Sequence, residues 1–294
     1  MIPNTYNPVL FLKKGITCPL DALVETNFKY RDKEYFIVNS NEILDYSIPH
    51  APGKSGQFGQ YTYFWMGVQY EPNDVFIVFE RSLEIATILS LLINEYIFDT
   101  TWHGYYRYPG VLSANVLLTY PQNYRGIEIR NATTISNEFI KNIFDKIDKL
   151  TMEDTGYFTS ATYLIHESKI RFYKGEDSSS ITSAISAVEA IYTRPNKMGI
   201  YSDIDTRFSL KERKKEKRFK EIFCNNTYSE LIYNSIENNF GENPYAVRSG
   251  HLHSGKIKNY NSSHPRKDED NDTLKFILRC QEIVHTSLDK LLIQ

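Results

Sequence analysis

The sequence of 294 residues lacks several features that mark common classes of protein. Its three cysteines, Cys18, Cys224 and Cys280, lie far apart and form no C-x-x-C pair, which argues against a disulfide framework and against a zinc site. The longest apolar run, Ile85 to Ile93, is too short to span a bilayer. No basic stub with an apolar core opens the chain, so we expect no signal peptide. These absences predict a soluble protein of the reducing cytoplasm that makes no contact with a membrane.

A strong net charge is also lacking, because the total is only −2. The whole surface is therefore not that of a general polyanion binder. The charge is uneven, however: Arg207 to Lys220 contains eight basic and two acidic residues, a local excess of +6. Such a block is typical of a phosphate-facing surface and also of a solvated helix face, and both interpretations stay open. The candidate RNA-binding residues in it are Arg213, Lys214, Lys215, Lys217 and Arg218.

The hydrophobic pattern changes near residue 135. Before it, short β-branched and aromatic runs such as Tyr35–Val38 and Tyr61–Val68 predict strands between turns. After it, the apolar period becomes helical and predicts a series of amphipathic helices. The predicted fold class is α+β, with a β-rich mixed domain over residues 1–135 and an all-α helical bundle over residues 136–294. The later predicted helices span about 158–172, 179–193, 206–223, 228–240 and 274–291.

The most informative pattern lies near the C-terminus, where four residues separate Arg248 from His253. The guanidinium of arginine is always charged, and the imidazole of histidine titrates near neutral pH. Held together, the two groups can stabilise an anionic phosphate and move a proton. Gly250 and the pair Ser254-Gly255 make a poor helix interior, so this stretch is expected on a turn rather than on a helix.

Two other interpretations of the same residues are open. In the first, Arg248 forms an ion pair with a carboxylate and His253 caps a helix end, both for structural reasons. In the second, His251 and His253 form an H-x-H pair that chelates a metal ion. The sequence offers no third ligand at metal spacing, so we expect no metal and no cofactor.

The helical half of the chain resembles the HEPN superfamily, the higher eukaryote and prokaryote nucleotide-binding domains, many of which are ribonucleases. The family hallmark is an arginine, a polar residue, a short spacer and a histidine, which Arg248, Ser249 and His253 match. The flanking Tyr245, Ser254 and Gly255 are similar to the family's surroundings of that motif. Upstream, the segments 187–192 and 205–208 resemble two segments of the ApeA-like branch, and the likeness covers roughly residues 137–294.

The resemblance implies an endoribonuclease that needs no metal, because RNA supplies its own 2′-hydroxyl as nucleophile. His253 is then the general acid or base, Arg248 the phosphate clamp, and Ser249 the group that orients the imidazole or the phosphate. The expected products carry 2′,3′-cyclic phosphate and 5′-hydroxyl ends. Supporting roles fall to Glu189, His251 and Tyr245, with Glu189 a candidate ion-pair partner of Arg248 or His253.

Partners follow from the same resemblance. Arg248 and His253 lie about 140° apart on an ideal helix, so one chain converges them imperfectly, whereas two motifs across a dyad would share one cleft. The family implies a homodimer, an RNA substrate such as tRNA, and a setting in prokaryotic antiviral defence or toxin action. The N-terminal half is then expected to bind a trigger of phage origin or an antitoxin-like partner. The alternatives are a non-catalytic HEPN module that binds a nucleotide or a protein, with a ligand-sensing β domain, and a regulator that uses the bundle only to dimerise.

Overall fold

The computed structural model describes residues 5–7, 27–31, 33–39, 64–68, 84–85, 87–89, 91, 106–107, 137–173, 175–192, 214–255 and 272–293. Contacts between Cα atoms divide the chain into two compact units. The first comprises residues 1–122 and 129–149, and the second comprises residues 123–128 and 150–294.

The described strands of the first unit pair into one antiparallel sheet in the order β2-β3-β4-β1-β5. In the central pair, Tyr35 lies opposite Val68 and Asn39 lies opposite Phe64. The strand predicted at Tyr35–Val38 falls within β3, and the one predicted at Tyr61–Val68 includes β4. The strand bounds are β1 Thr5–Asn7, β2 Asn27–Tyr30, β3 Lys33–Asn39, β4 Phe64–Val68 and β5 Tyr106–Arg107.

Helix α1, Asn137–Ile147, belongs to this first unit. Its Phe144 stacks on Phe28 of β2 with ring centroids 4.2 Å apart and meets Tyr30 edge-on at 5.7 Å. The amphipathic pattern correctly predicted a helix here, but it does not say which layer covers the apolar stripe. The division between the two units therefore falls at Leu150, one helix later than the change of pattern near residue 135.

The second unit is a helical bundle, as the apolar periodicity predicted. Helix α3 is buried along nearly its whole length, and α2, α6 and α7 pack against it. In the described residues no helix has the length and apolar character needed to cross a membrane. The helices are α2 Met152–Tyr173, α3 Asp177–Tyr192, α4 Lys214–Phe223, α5 Thr227–Phe240, α6 Pro244–Ser254 and α7 Asp272–Ile293.

Two buried serines join α2 to α3. The hydroxyl of Ser168 donates to the carbonyl of Ser180 at 2.9 Å, and the hydroxyl of Ser180 donates back to the carbonyl of Ser168 at 2.8 Å. Both side chains are fully buried, so the reciprocal bonds satisfy hydroxyls that would otherwise cost free energy in the core. Small side chains at this crossing also let the two helix backbones approach closely, which fixes the position of α3.

A histidine and a lysine are buried one turn apart on α2. His166 is 2% exposed and Lys169 is 0% exposed. Burial, together with the nearby Lys169 charge, lowers the pKa of His166 from its ordinary 6.5 to about 3. His166 is therefore neutral in the folded bundle above about pH 3, whereas the unfolded chain binds a proton there below about pH 6.5.

This difference predicts a loss of stability as the pH falls. Between pH 6.5 and pH 3 the unfolded state binds more protons at His166 than the folded state, so stability present above pH 6.5 is lost progressively below it. From pH 7.5 to pH 5 this one group should remove about 2 kcal/mol from the free energy of unfolding. Urea unfolding of wild type and His166→Leu at both pH values measures the effect, and the variant should lose less. His253→Gln, at an exposed histidine, is the control, and its unfolding free energy should fall with pH as much as that of wild type. An equal fall in wild type and His166→Leu would contradict the prediction.

Candidate functional site

The Arg/His motif lies on helix α6, so the expectation of a turn was wrong. Asn243 caps the helix by accepting a hydrogen bond from the amide of Ala246 at 2.9 Å, and Pro244 occupies the first turn, where its missing N–H costs nothing. Gly255 follows the last helical residue with φ +60°, the left-handed conformation that ends helices. Strong start and stop signals outweigh the weak helix propensity of the one interior glycine, Gly250.

The centre of the site is an ion pair between α3 and α6. One terminal nitrogen of Arg248, Nη2, pairs with Oε2 of Glu189. Tyr245 lies one turn earlier on α6 and donates its hydroxyl to the other carboxylate oxygen, Oε1, at 2.7 Å. The Tyr245 ring also lies 5.3 Å from the guanidinium carbon of Arg248. Of the two partners considered for Glu189 from the sequence, the structure pairs it with Arg248.

Three donors among the described residues bond to the Glu189 carboxylate. The residue is only 7% exposed, and a buried carboxylate is costly unless hydrogen bonds and an opposite charge compensate for lost water. Besides Arg248 and Tyr245, the hydroxyl of Tyr192 donates to Oε1 at 3.3 Å. Burial and the neighbouring Glu189 raise the pKa of both tyrosines far above their ordinary value, so both phenols stay protonated and continue to donate.

Arg248 keeps donor capacity beyond this ion pair. Its side chain is 16% exposed, and its Nε–H is buried with no hydrogen-bond partner in the part of the chain that the structure describes. Guanidinium groups carry five N–H donors, so one contact with Glu189 leaves others for an anion. Buried donors in folded proteins usually have a hydrogen-bond partner, so this N–H is a donor that Arg248 can still use.

His251 makes a second link between α6 and α3. Its Nε2 lies 3.4 Å from the hydroxyl of Ser179, near the start of α3. Its Nδ1 is buried and has no hydrogen-bond partner among the described residues. His251 is half-buried, so it helps to hold α6 in place rather than facing solvent as its neighbour His253 does.

The structure does not bring His253 to Arg248 within one chain. His253 and Leu252 are exposed at the end of α6, whereas Arg248 turns towards Glu189. Ser249 is half-buried and lies one helical turn before His253, about 40° away around the axis. One chain thus exposes Leu252 and His253, with Ser249 half-buried, while Arg248 on the same helix is held by Glu189.

The predicted basic surface divides into two parts. Arg213 lies outside the described residues, and of Lys214 only the backbone is described. Lys215 and Lys217 are exposed on α4, as a phosphate-contacting surface requires. Arg218 is half-buried instead, and its guanidinium carbon lies 5.6 Å from the centroid of the Tyr192 ring.

Two contacts anchor α4 beside the motif helix. The amide nitrogen Nδ2 of Asn243, the residue that caps α6, donates to Oε1 of Glu216 at 3.1 Å. Phe219 is fully buried, and its ring centroid lies 6.3 Å from that of Tyr245. The basic helix is therefore packed against the site and is not a separate solvated element.

The two histidines of the H-x-H pair have different surroundings. His251 points to Ser179 and His253 is exposed, although only one residue separates them. Across the residues the structure describes, no three histidine, cysteine, aspartate or glutamate side chains are grouped closely enough to hold a metal ion.

Comparison of the chain with protein-family models, with curated proteins and with solved structures yields no match. Function must therefore be argued from the residues themselves.

Sequence reasoning missed the part that Tyr192 and Arg218 play in this site. Tyr192 was predicted on the apolar face of the helix at 179–193, within the segment that resembles the ApeA-like branch, and Arg218 was predicted to bind RNA. A buried tyrosine three residues after a buried glutamate is a usable signal, because residues at this spacing share a helix face. No pattern in the sequence, however, indicates which basic residue of α4 lies over that ring.

The satisfied carboxylate makes a prediction about stability. Replacing Glu189 by Gln removes the negative charge and leaves Arg248 partly buried without its counter-ion, so the free energy of unfolding should fall by about 2 kcal/mol. Urea unfolding of both proteins at pH 7 measures this. Glu237→Gln, which removes an exposed carboxylate from α5, is the matched control and should change stability by less than about 0.5 kcal/mol. Equal effects of the two substitutions would show that the buried ion pair does not hold α6.

Proposed function

We propose that the chain is a metal-independent endoribonuclease of the HEPN type, acting in prokaryotic antiviral defence or as a toxin. One observation carries the proposal: Arg248 is held in a fixed position by Glu189 and Tyr245, yet keeps a buried Nε–H without a partner among the described residues. A guanidinium fixed in advance, with donors unused, is suited to an anionic transition state.

The proposed reaction uses the RNA's own 2′-hydroxyl. His253 takes the proton from that hydroxyl, the 2′-oxygen bonds to phosphorus, and the bond to the 5′-oxygen breaks as that oxygen receives a proton from the His253 imidazolium. Arg248 neutralises the charge that develops on the phosphorane. The products are a 2′,3′-cyclic phosphate and a 5′-hydroxyl, and Ser249, one turn from His253, orients the imidazole or the phosphate.

A homodimer is part of the proposal, because the two groups diverge within one chain. Arg248 faces Glu189, whereas His253 is exposed at the end of α6. Leu252 lies between them around the helix axis and is 52% exposed, an apolar side chain on the surface where a second copy would place its own motif. Each cleft would then combine groups from both chains.

The remaining parts of the proposal concern partners. Lys215 and Lys217 are exposed on α4 and would contact the backbone of the RNA, tRNA being one candidate. Residues 1–135 would form the β-rich recognition domain, and a phage-derived molecule or an antitoxin-like partner bound there would control the nuclease.

A second candidate function is a non-catalytic HEPN module that binds a nucleotide or a protein. It is favoured by the same ion pair, since Arg248 already bonds to a buried carboxylate and so has a structural reason to be present. In that case α6 is held for folding, and His253 is simply an exposed residue in its last turn.

The test is RNA cleavage in EDTA by wild type and His253→Ala, on total tRNA and on a labelled single-stranded RNA. Wild type should release cyclic-phosphate ends, and the variant should be slower by at least about a hundredfold, because general acid–base catalysis contributes that much or more. Asn234→Ala, an exposed change on α5, is the matched control and should cleave like wild type. The assay is repeated with lysate of phage-infected cells to supply a trigger.

Folded wild type that leaves RNA intact with and without lysate would exclude the nuclease and favour the binding module. Equal cleavage by wild type and His253→Ala would exclude His253 as the catalytic group. The dimer is tested in the same assay with Leu252→Asp, which should give a monomer by light scattering and lose cleavage. Cleavage by that monomer would contradict a composite site.

A further inference from the structure

Arg218 occupies a different environment from the other basic residues of α4. Lys215 and Lys217 are exposed, whereas Arg218 is half-buried, with its guanidinium carbon 5.6 Å from the centroid of the Tyr192 ring. A guanidinium at this distance from an aromatic face is attracted by the ring's quadrupole, and the attraction grows as the pair is withdrawn from water. Arg218 therefore faces the bundle, and its surroundings are not those of a solvated phosphate contact.

Tyr192 connects Arg218 to the Arg248 site. Its hydroxyl donates to Oε1 of Glu189 at 3.3 Å, and the other oxygen of the same carboxylate pairs with Arg248. The two arginines, from α4 and α6, thus contact a tyrosine and a carboxylate that are both carried by α3. The contacts run without a break from Arg218 through Tyr192 and Glu189 to Arg248.

The mechanical consequence follows from the stiffness of a tyrosine. Its ring turns about only two side-chain bonds, so a cation over the ring also fixes where the hydroxyl points. Burial keeps the Tyr192 phenol protonated, so it donates to Glu189 throughout the neutral pH range. Removing the cation takes away one of the contacts that position the buried ring, weakens its bond to the carboxylate, and so loosens the group that holds Arg248. Displacements of the order of 1 Å at a catalytic group can cost about a hundredfold in rate.

We infer that Arg218 is a positioning residue for Arg248, acting through Tyr192 and Glu189, and not an RNA-contacting residue. The predicted effect of Arg218 on the cleavage rate rests on the proposed ribonuclease function. The contacts among Arg218, Tyr192, Glu189 and Arg248 do not depend on that function. It divides helix α4 by function: its outer face, with Lys215 and Lys217, is available to RNA phosphates, and its inner face fixes the geometry of the site.

Cleavage kinetics of the whole 294-residue chain separate positioning from binding. Arg218→Ala should lower kcat for RNA cleavage by about ten- to a hundredfold while leaving KM and its salt dependence nearly unchanged. Arg218→Lys keeps a cation over the ring and should recover most of the loss. In a Tyr192→Phe background, Arg218→Ala should have a much smaller effect, because residues in one chain of contacts are not additive. Lys141→Ala, an exposed change on α1, is the control for loss of a positive charge.

A second measurement does not depend on catalysis. The Nε–H of Arg248 is buried and so protected from exchange, and it can be followed by proton–nitrogen NMR, with Arg248→Lys to assign it. Arg218→Ala and Tyr192→Phe should both shift or broaden that signal, and Lys141→Ala should not. If wild type fails to cleave RNA while the signal responds, the ribonuclease proposal falls and the positioning role stands. The inference would be overturned if Arg218→Ala left the Arg248 Nε–H signal unchanged. It would also be overturned if Arg218→Ala changed KM and its salt dependence without lowering kcat.

Discussion

The position of the motif helix α6 depends on the buried carboxylate of Glu189. Glu189 lies on α3, the helix that the others surround, and it is nearly inaccessible to water. A carboxylate in that position is stable only if donors surround it, and it takes them from its own helix and from α6. Tyr192 lies about one turn after Glu189 on α3, and Tyr245 and Arg248 contact the carboxylate from the motif helix α6. The need to satisfy this charge fixes α6 against α3, and with it every group proposed for chemistry.

The same constraint explains why the arginine and the histidine of the motif behave so differently. Arg248 is drawn inwards by the carboxylate, whereas His253, five residues later, emerges on another side of the helix. His251 lies between these two residues in the sequence, and its contact with Ser179 is a second attachment of α6 to α3. A helix pinned at two points on its inner face can present its outer face to RNA or to a second copy without moving. This arrangement favours a site built from two chains over one built within a single chain.

Much of this arrangement was predictable from the sequence, and the reasons for the failures are physical. Amphipathic periodicity located the helices because each must bury one face, and spacing together with family resemblance singled out Glu189, Tyr245 and Arg248. The prediction of a turn at the motif was wrong because Gly250 has a low helix propensity but does not end the helix. The caps at Asn243 and Gly255 determine where the helix starts and stops. The role of Arg218 was beyond prediction, because it depends on how α4 packs against α3. Periodicity shows that a face is buried, but not against what.

We propose that the Glu189–Arg248 ion pair has two roles: it holds the motif helix α6 in place, and it orients Arg248 to bind a phosphate. Arg248→Lys separates these functions, because lysine can keep a charge opposite Glu189 but lacks the planar fork of donors that grips a phosphate. The decisive measurement is the unfolding free energy and the RNA cleavage rate of this one variant. The unfolding free energy of Arg248→Lys should lie within about 1 kcal/mol of that of wild type. Its rate of RNA cleavage should be lower by at least about a hundredfold. Full cleavage, or a loss of stability that alone explains the loss of cleavage, would show that the arginine is there only to fold the bundle.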